Sequence, residues 1–283
     1  MVLPAVLVVI AVVLFPVVSG IMSSFRDVTT RTLNTDTVTW VGLNNYRRVF
    51  ADPVFLRASL NTIVWVSLNV VFQLGLGLAL ALMLRNRLPG LGFFRAAILV
   101  PWVIPSVVAV LTWRWMYDPS VGILNETLVR IGLIDSYHSW LGDTQTALLA
   151  VTLESIWKGT PFVMLLLLAA LQLVPDSVLE AAEMDGATGW RRLWYVILPQ
   201  IRLSFAIAAV LTFILTVNNF NAIWLMTEGG PLNSSEILFT LAYKYGFQRF
   251  DFGMASAVAT MIFAGLVVAT TVYLVLIQAK EDR

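Results

Sequence analysis

The chain has no cysteine, a single histidine and little charge. Without thiols it can form no disulfide, no sulfur-ligated metal site and no Cys nucleophile, and its redox compartment is left open. The lone His138 belongs to no H-E-x-x-H, and there is no G-x-S-x-G, so neither a zinc hydrolase nor a serine hydrolase is encoded. A G-x-x-x-x-G-K-[ST] loop is also missing, which removes the usual P-loop way of holding ATP. With a net charge of +1 there is no basic field to draw nucleic acid.

Only 12% of the 283 residues are charged, against about a quarter in a soluble domain. Hydrophobic residues make up 59% and the mean hydropathy is +0.83. The main solvent of such a chain is lipid. A membrane-spanning helix needs roughly 20 apolar residues, and six stretches qualify: Val2–Met22, Ser59–Leu84, Ala96–Tyr117, Thr146–Val174, Leu203–Met226 and Gly253–Gln278. The first, at 1.5 Å rise per residue, extends about 31 Å, and it lacks the flanks of a cleaved signal peptide. The sequence therefore predicts an all-α integral membrane protein forming one domain over residues 1–283.

The connections fall into two sets. Loops 23–58, 118–145 and 227–252 are long and rich in turn residues and aromatics. Loop 85–95, segment 175–202 and the C-terminal KEDR must share the opposite side. The second set carries Arg85, Arg87, Arg95, Arg191, Arg192, Arg202, Lys280 and Arg283, a higher density of positive charge, and density favours it as the cytoplasmic side.

Segment 175–202 holds the most polar run in the second half, EAAEMDGATGWRRLWYVILPQIR. Val174-Pro175 ends the preceding span, because the residue before proline is pushed out of helical geometry. Ser177-Val-Leu-Glu180 has capping-box form, which predicts a helix starting at Ser177. Ala181 and Ala182 give it a small-residue face, Gly186 suits a left-handed stop, and Thr188 can cap a second short helix that ends ahead of Pro199. On residue chemistry alone, this helix–bend–helix fits either a plain amphipathic connector or a docking surface for a soluble partner.

Polar side chains inside spans are costly and usually face a partner helix or a water-filled path. Asn218, Asn219 and Asn221 lie beside Phe220 and Trp224, a mixture of amides and aromatic faces that suits sugar hydroxyls and pyranose C–H faces. At helical spacing Asn218 and Asn221 share a face and Asn219 points elsewhere. Glu154, Trp157 and Lys158 form a second cluster, in which Glu154 and Lys158 at i, i+4 can pair. Interhelical bonding would account for all of these equally well. It is the expected role of Asn61, Asn69 and Gln73, while Trp102, Trp113, Trp115 and Trp224 equally suit interfacial anchors.

The run Glu180-Ala181-Ala182, then Gly186 three residues on, then Val196-Ile197-Leu198-Pro199 is similar to the cytoplasmic signature of permease subunits of binding-protein-dependent ABC importers. Val196 stands where the family usually has isoleucine. Asp185-Gly186-Ala187 resembles the carbohydrate-uptake branch, as do WVGLNNYRRVFADPVFLRASLNT, FRAAILVPWVIPSVVAVLTWRWMYDPSVGILN and TEGGPLNSSEILFTLAYKYGF, most nearly the first permease of a heterodimeric pair. The resemblance runs over residues 1–279. It implies the type I importer permease architecture, a second homologous permease, two ATP-binding subunits, an extracytoplasmic solute-binding protein and a bacterial or archaeal cytoplasmic membrane. In such a complex 175–202 is the coupling segment, docking on the ATPase through Glu180, Ala181, Ala182, Asp185, Gly186, Arg191 and Pro199. ATP and Mg would be used by the partner subunits and no cofactor by this chain, which would not be an enzyme. The implied cargo is a di- or oligosaccharide, with glycerol phosphate or a glycerophosphodiester as the alternative. An ion-coupled secondary transporter is the rival of a different class; it would be expected to show an internal repeat, and none is evident.

Overall fold

A computed structural model describes residues 3–32, 38–85 and 91–278. Arg87, Lys280 and Arg283, which entered the charge balance, lie outside the described residues. The described chain is helical, and its only β contacts are bridges pairing Arg26 with Trp40 and Thr29 with Asp251.

In chain order the helices are α1 (Leu3–Val9, continuing through a π-turn at Ile10–Leu14 into Phe15–Ser24), α2 (Asn44–Ala51), α3 (Pro53–Leu84), α4 (Leu91–Val103), α5 (Ser106–Met116), α6 (Ile123–Arg130) and α7 (Ala147–Gln172). They continue with α8 (Asp176–Met184), α9 (Gly189–Arg192, through Leu193–Ile197 to Leu198–Gln200), α10 (Arg202–Val217), α11 (Phe220–Thr227), α12 (Leu238–Tyr243, extended by Lys244–Gln248) and α13 (Phe252–Gln278). Five are long and apolar enough to cross a membrane when α10 and α11 are taken together, and the bent pair α4–α5 makes a sixth. Each expected span thus has its helix, though two are interrupted.

The span expected over Ala96–Tyr117 is two helices meeting at 91°. Pro105 is the cause. It has no amide hydrogen for the carbonyl four residues back, and its extended backbone (ψ 135°) turns the chain out of the helix. The span expected over Leu203–Met226 breaks at Asn218-Asn219, where Asn219 leaves helical geometry and caps α11 by accepting from the Ala222 amide at 3.4 Å.

The centre of the molecule is the packing of α3 on α7. Gly77 permits it: a Cβ there would sit 2.6 Å from Val163 Cγ1, so only a bare backbone lets the two helices approach this closely. Leu74, Ala81, Met164, Leu167 and Leu171 fill the interface. A second cluster joins Trp65, Val151, Ile223 and Ile237, with the Trp65 indole donating to Thr216 O at 3.1 Å. A third, at one end, packs Val49 and Ala58 on Leu241, Tyr245 and Ala257. In contrast, no residue from Val6 to Ser23 in α1 is buried by the rest of the chain, so much of the apolar surface of this helix is left for lipid or another chain.

α3 begins six residues before the expected Ser59. Asp52 caps it, accepting from the Val54 amide at 2.8 Å, and Pro53 occupies the first turn, where its missing N–H costs nothing. The Asp52 carboxylate also accepts from Tyr245 and Arg249. Of the three amides expected to bond neighbouring helices, only Gln73 does so, through Ser155 O on α7; Asn61 bonds the loop before α12, and Asn69 donates to Trp65 O in its own helix. Asn61 Nδ2 donates to the carbonyls of Asn233, Ser234 and Glu236, and Gln73 Nε2 donates to Asn69 Oδ1 and Ser155 O.

Candidate functional site

Both interruptions open on one cavity of about 240 Å³ between α3, α4–α5, α7 and α10. The residues that interrupt the spans stand in its wall: Trp102 and Ser106 on either side of the first break, Asn219 at the second. Opposite them α7 contributes Glu154, Ser155, Lys158, Gly159 and Phe162. Trp102 and Phe162 stack at 5.9 Å between centroids, with planes 27° apart, and form an aromatic wall. The polar side is built from Gln73, Ser155, Thr212 and Asn219, with Asn219 Nδ2 donating to Ser155 Oγ at 3.3 Å.

Gly159 makes room for this arrangement, since a Cβ there would lie 2.2 Å from Gln73 Oε1. Lys158 does not form the expected ion pair with Glu154. Its ammonium donates instead to Pro101 O (3.2 Å) and Ile104 O (2.5 Å), the carbonyls at the break between α4 and α5. The main-chain acceptors freed by Pro105 outcompete the carboxylate one turn away. Glu154 is fully buried, and neither of its carboxylate oxygens has a hydrogen-bond partner among the described residues.

The three asparagines are divided by the second break. The shared face expected for Asn218 and Asn221 requires an unbroken helix, and there is none. Asn219 enters the cavity, whereas Asn218 is exposed, bonded to its own helix at Ile214 O, and lines a separate apolar recess with Tyr243 and Phe247. Asn221 is exposed, and Trp224 stacks on Phe220 at 5.2 Å and meets Tyr243 edge-on. Trp157 turns away from the cavity towards Trp113, at 5.6 Å. Of the residues singled out from sequence, the cavity therefore collects Glu154, Lys158 and Asn219 and leaves Asn218, Asn221, Trp157 and Trp224 elsewhere. It adds Ser155, Trp102, Phe162, Thr212 and Thr216, and gives Gln73 a place in the wall as well as a bonding role. The paired prolines of VPWVIPS were the available signal for a broken span.

The polar segment forms α8, a tight bend and α9 at the far end of α3 and α7. The capping box expected at Ser177 and Glu180 is not made. α8 begins at Asp176 behind Pro175 with no side-chain cap, so Ser177 already lies within the first turn. Its other end follows the expectation: Gly186 takes φ +74°, with Gly186 N donating to Glu183 O and Ala187 N to Ala182 O, a Schellman ending. Thr188 precedes α9 but makes no side-chain cap, and α9 runs past Pro199 to Gln200, because a π-turn at Leu193–Ile197 absorbs the missing amide. Glu180, Ala181, Asp185, Arg191 and Pro199 are exposed, while Ala182 is buried against this chain. Arg85 ties the segment to α3 by donating to Val174 O at 3.3 Å and reaching Asp176.

Residues 73–281 match the family model described as a binding-protein-dependent transport system inner membrane component. The chain is 34% identical over 283 residues to the trehalose/maltose transport system permease protein of Thermococcus litoralis, covering all of this chain and 94% of that one. Among solved structures it is similar to a bacterial ABC transporter involved in the import of the acidic polysaccharide alginate, with a TM-score of 0.82 at 22% identity over 99% of this chain and 94% of that one. A bacterial alginate ABC transporter in complex with its alginate pentasaccharide-bound periplasmic protein gives 0.79 at 22% identity, over 96% and 90%.

Proposed function

Since this chain belongs to the family of binding-protein-dependent transport system inner membrane components, we propose that it is a permease subunit of a sugar importer and that the cavity between the two broken spans is its cargo site. One observation carries the cargo assignment: a stacked Trp102–Phe162 wall faces amides and hydroxyls from Asn219, Gln73, Ser155 and Thr212. Aromatic faces cover the C–H face of a pyranose, and amides and hydroxyls both donate to and accept from its hydroxyl groups. Relatives that carry sugar names support a di- or oligosaccharide.

The chain has no means of its own to bind ATP in a P-loop, so the work is delivered from outside. A second homologous permease completes the path, two ATPase subunits use ATP and Mg, and a solute-binding protein delivers the sugar. Exposed Glu180, Ala181, Asp185, Arg191 and Pro199 form the ATPase-facing surface of α8 and α9, and the left-handed Gly186 fixes the angle between them. Ala182 supports that surface from inside the chain rather than contacting the ATPase. On this reading segment 175–202 faces the cytoplasm, which the density of positive charge supports.

The test is uptake of labelled trehalose into proteoliposomes holding this chain, its partner permease and the ATPase subunits, with binding protein outside. Uptake should require internal ATP and should be lost in Glu180→Lys or Gly186→Pro, with membrane insertion retained. Ion-gradient-driven uptake by this chain alone, without ATP, would overturn the assignment.

A further inference from the structure

We propose that Glu154 is the residue that selects cargo by charge: its carboxylate accepts two hydroxyl groups of a neutral sugar and keeps anionic solutes out of the cavity. The inference rests on the cavity being the sugar site and goes beyond it by naming the charge class of the cargo.

The fold itself does not decide this question, since a transporter of the same fold imports an acidic polysaccharide. Selection must come from side chains, and among the described residues the charged ones that line this cavity are Glu154 and Lys158. The ammonium of Lys158 has two of its three hydrogens engaged by Pro101 O and Ile104 O. With one hydrogen left over, it offers a phosphate or carboxylate a single contact in place of a cradle. Arg114, on α5, donates to Leu225 O at 3.0 Å and does not line the cavity.

Glu154 is in the opposite condition. Both of its oxygens are buried and lack a hydrogen-bond partner among the described residues, which is costly for a carboxylate unless something supplies donors. An ionised carboxylate only accepts, through two oxygens set side by side. Adjacent hydroxyls of a pyranose present two donors at matching separation, and Ser155 and Asn219 stand ready to meet the remaining oxygens. A phosphoryl or uronate group is anionic at neutral pH and would bring like charge against Glu154. Thr212 Oγ, also buried and unpartnered, is a further group in the same wall that a polyhydroxylated ligand can satisfy.

Equilibrium binding to the purified transporter, containing both permeases and the ATPase subunits, tests the proposal with trehalose, maltose and trehalose 6-phosphate as probes. Binding protein is omitted so that its own selectivity does not enter. Wild type should bind a neutral disaccharide and bind trehalose 6-phosphate about a hundredfold more weakly. Glu154→Gln keeps the shape but replaces one acceptor with a donor and removes the charge. It should weaken trehalose about tenfold and bring the phosphate within roughly tenfold of it. Equal binding of trehalose and trehalose 6-phosphate by wild type overturns the proposal without any variant and leaves the sugar reading standing, as does a Glu154→Gln transporter with wild-type affinities. Failure of wild type to bind either neutral disaccharide would sink the sugar reading, and this inference with it.

Discussion

Lys158 Nζ donates to Pro101 O across 3.2 Å, and Pro101 O is the acceptor that Pro105, four residues on, has no N–H to fill. A side chain on α7 thus stands in for a backbone donor on a neighbouring span. The same ammonium takes Ile104 O, so one residue bridges the 91° bend to the helix that contributes more of the cavity wall than any other.

Replacing Lys158 with Met should loosen this bend. A hydrogen bond to a charged group contributes roughly 1.5–3 kcal/mol, so ATP-driven uptake should fall by about tenfold or more, with Lys158→Arg retaining most of it. Because the chain has no native cysteine, labels at Phe94→Cys and Trp115→Cys, both exposed, report the α4–α5 distance directly. An unchanged distance distribution in Lys158→Met would refute the bridging role.

The second break predicts a difference between adjacent asparagines. Asn219→Ser keeps an N-cap side chain but withdraws the amide from the cavity, and should raise the KM for sugar by about fivefold. Asn218→Ala, on the far side of the break, should stay within about twofold. Uptake kinetics across both variants decide; equal effects would place the cargo outside this cavity.

Two glycines on α3 should behave oppositely. Gly77→Ala forces a methyl against Val163 Cγ1 and the Met164 amide and should cost about 1–3 kcal/mol, read as a lower melting temperature in detergent. Gly75 has nothing within 4 Å of the equivalent position, so Gly75→Ala should be neutral or stabilising by about 0.5–1 kcal/mol.

Gly186 is constrained by its backbone alone, with φ +74° and open space where a Cβ would go. Gly186→Ala should cost roughly 1–2 kcal/mol and Gly186→Asn less. Hydrogen exchange over 176–188 and co-purification of the ATPase should both follow the order Gly, Asn, Ala.

Outside the membrane-spanning segments, Asp52 gives a pH-dependent effect. Burial works against its charge, but the Val54 amide, the Tyr245 hydroxyl and Arg249 outweigh that and hold its carboxyl below the usual value. A depressed folded-state pKa stabilises fully above the unfolded value of 3.8 and is lost as pH falls through the lower folded value. Melting temperatures should therefore drop below about pH 4. In Asp52→Asn, which keeps the cap but cannot ionise, that part of the drop should disappear.

The spans were legible in the sequence because lipid imposes long apolar runs, and the run lengths alone located five of them and the bent pair that makes the sixth. The interruptions were less so. Pro101 and Pro105 announce a disturbed helix, but one of them sits within α4 while the other turns the chain by a right angle, and only packing against Lys158 separates the two outcomes. Asn219 could not be told from Asn218 by periodicity, because the period itself stops between them. Gly186 was readable because its requirement is local. The capping box at Ser177 misled because Pro175 had already taken the N-cap position two residues earlier than the pattern suggests.

α3 runs 32 residues with proline only in its first turn, about 48 Å of uninterrupted rod, while two spans beside it are jointed at the depth of the cavity. Stiffness is therefore distributed unevenly. Asp52 and Asn61 fasten the rod to the loops at one end, and Arg85 fastens it to Asp176 and Val174 at the other. A push at either end travels along it with little loss, and the compliant joints at Pro105 and Asn219 take up the strain. Any deformation the bundle undergoes is thus focused on the walls of a cavity that touches neither end.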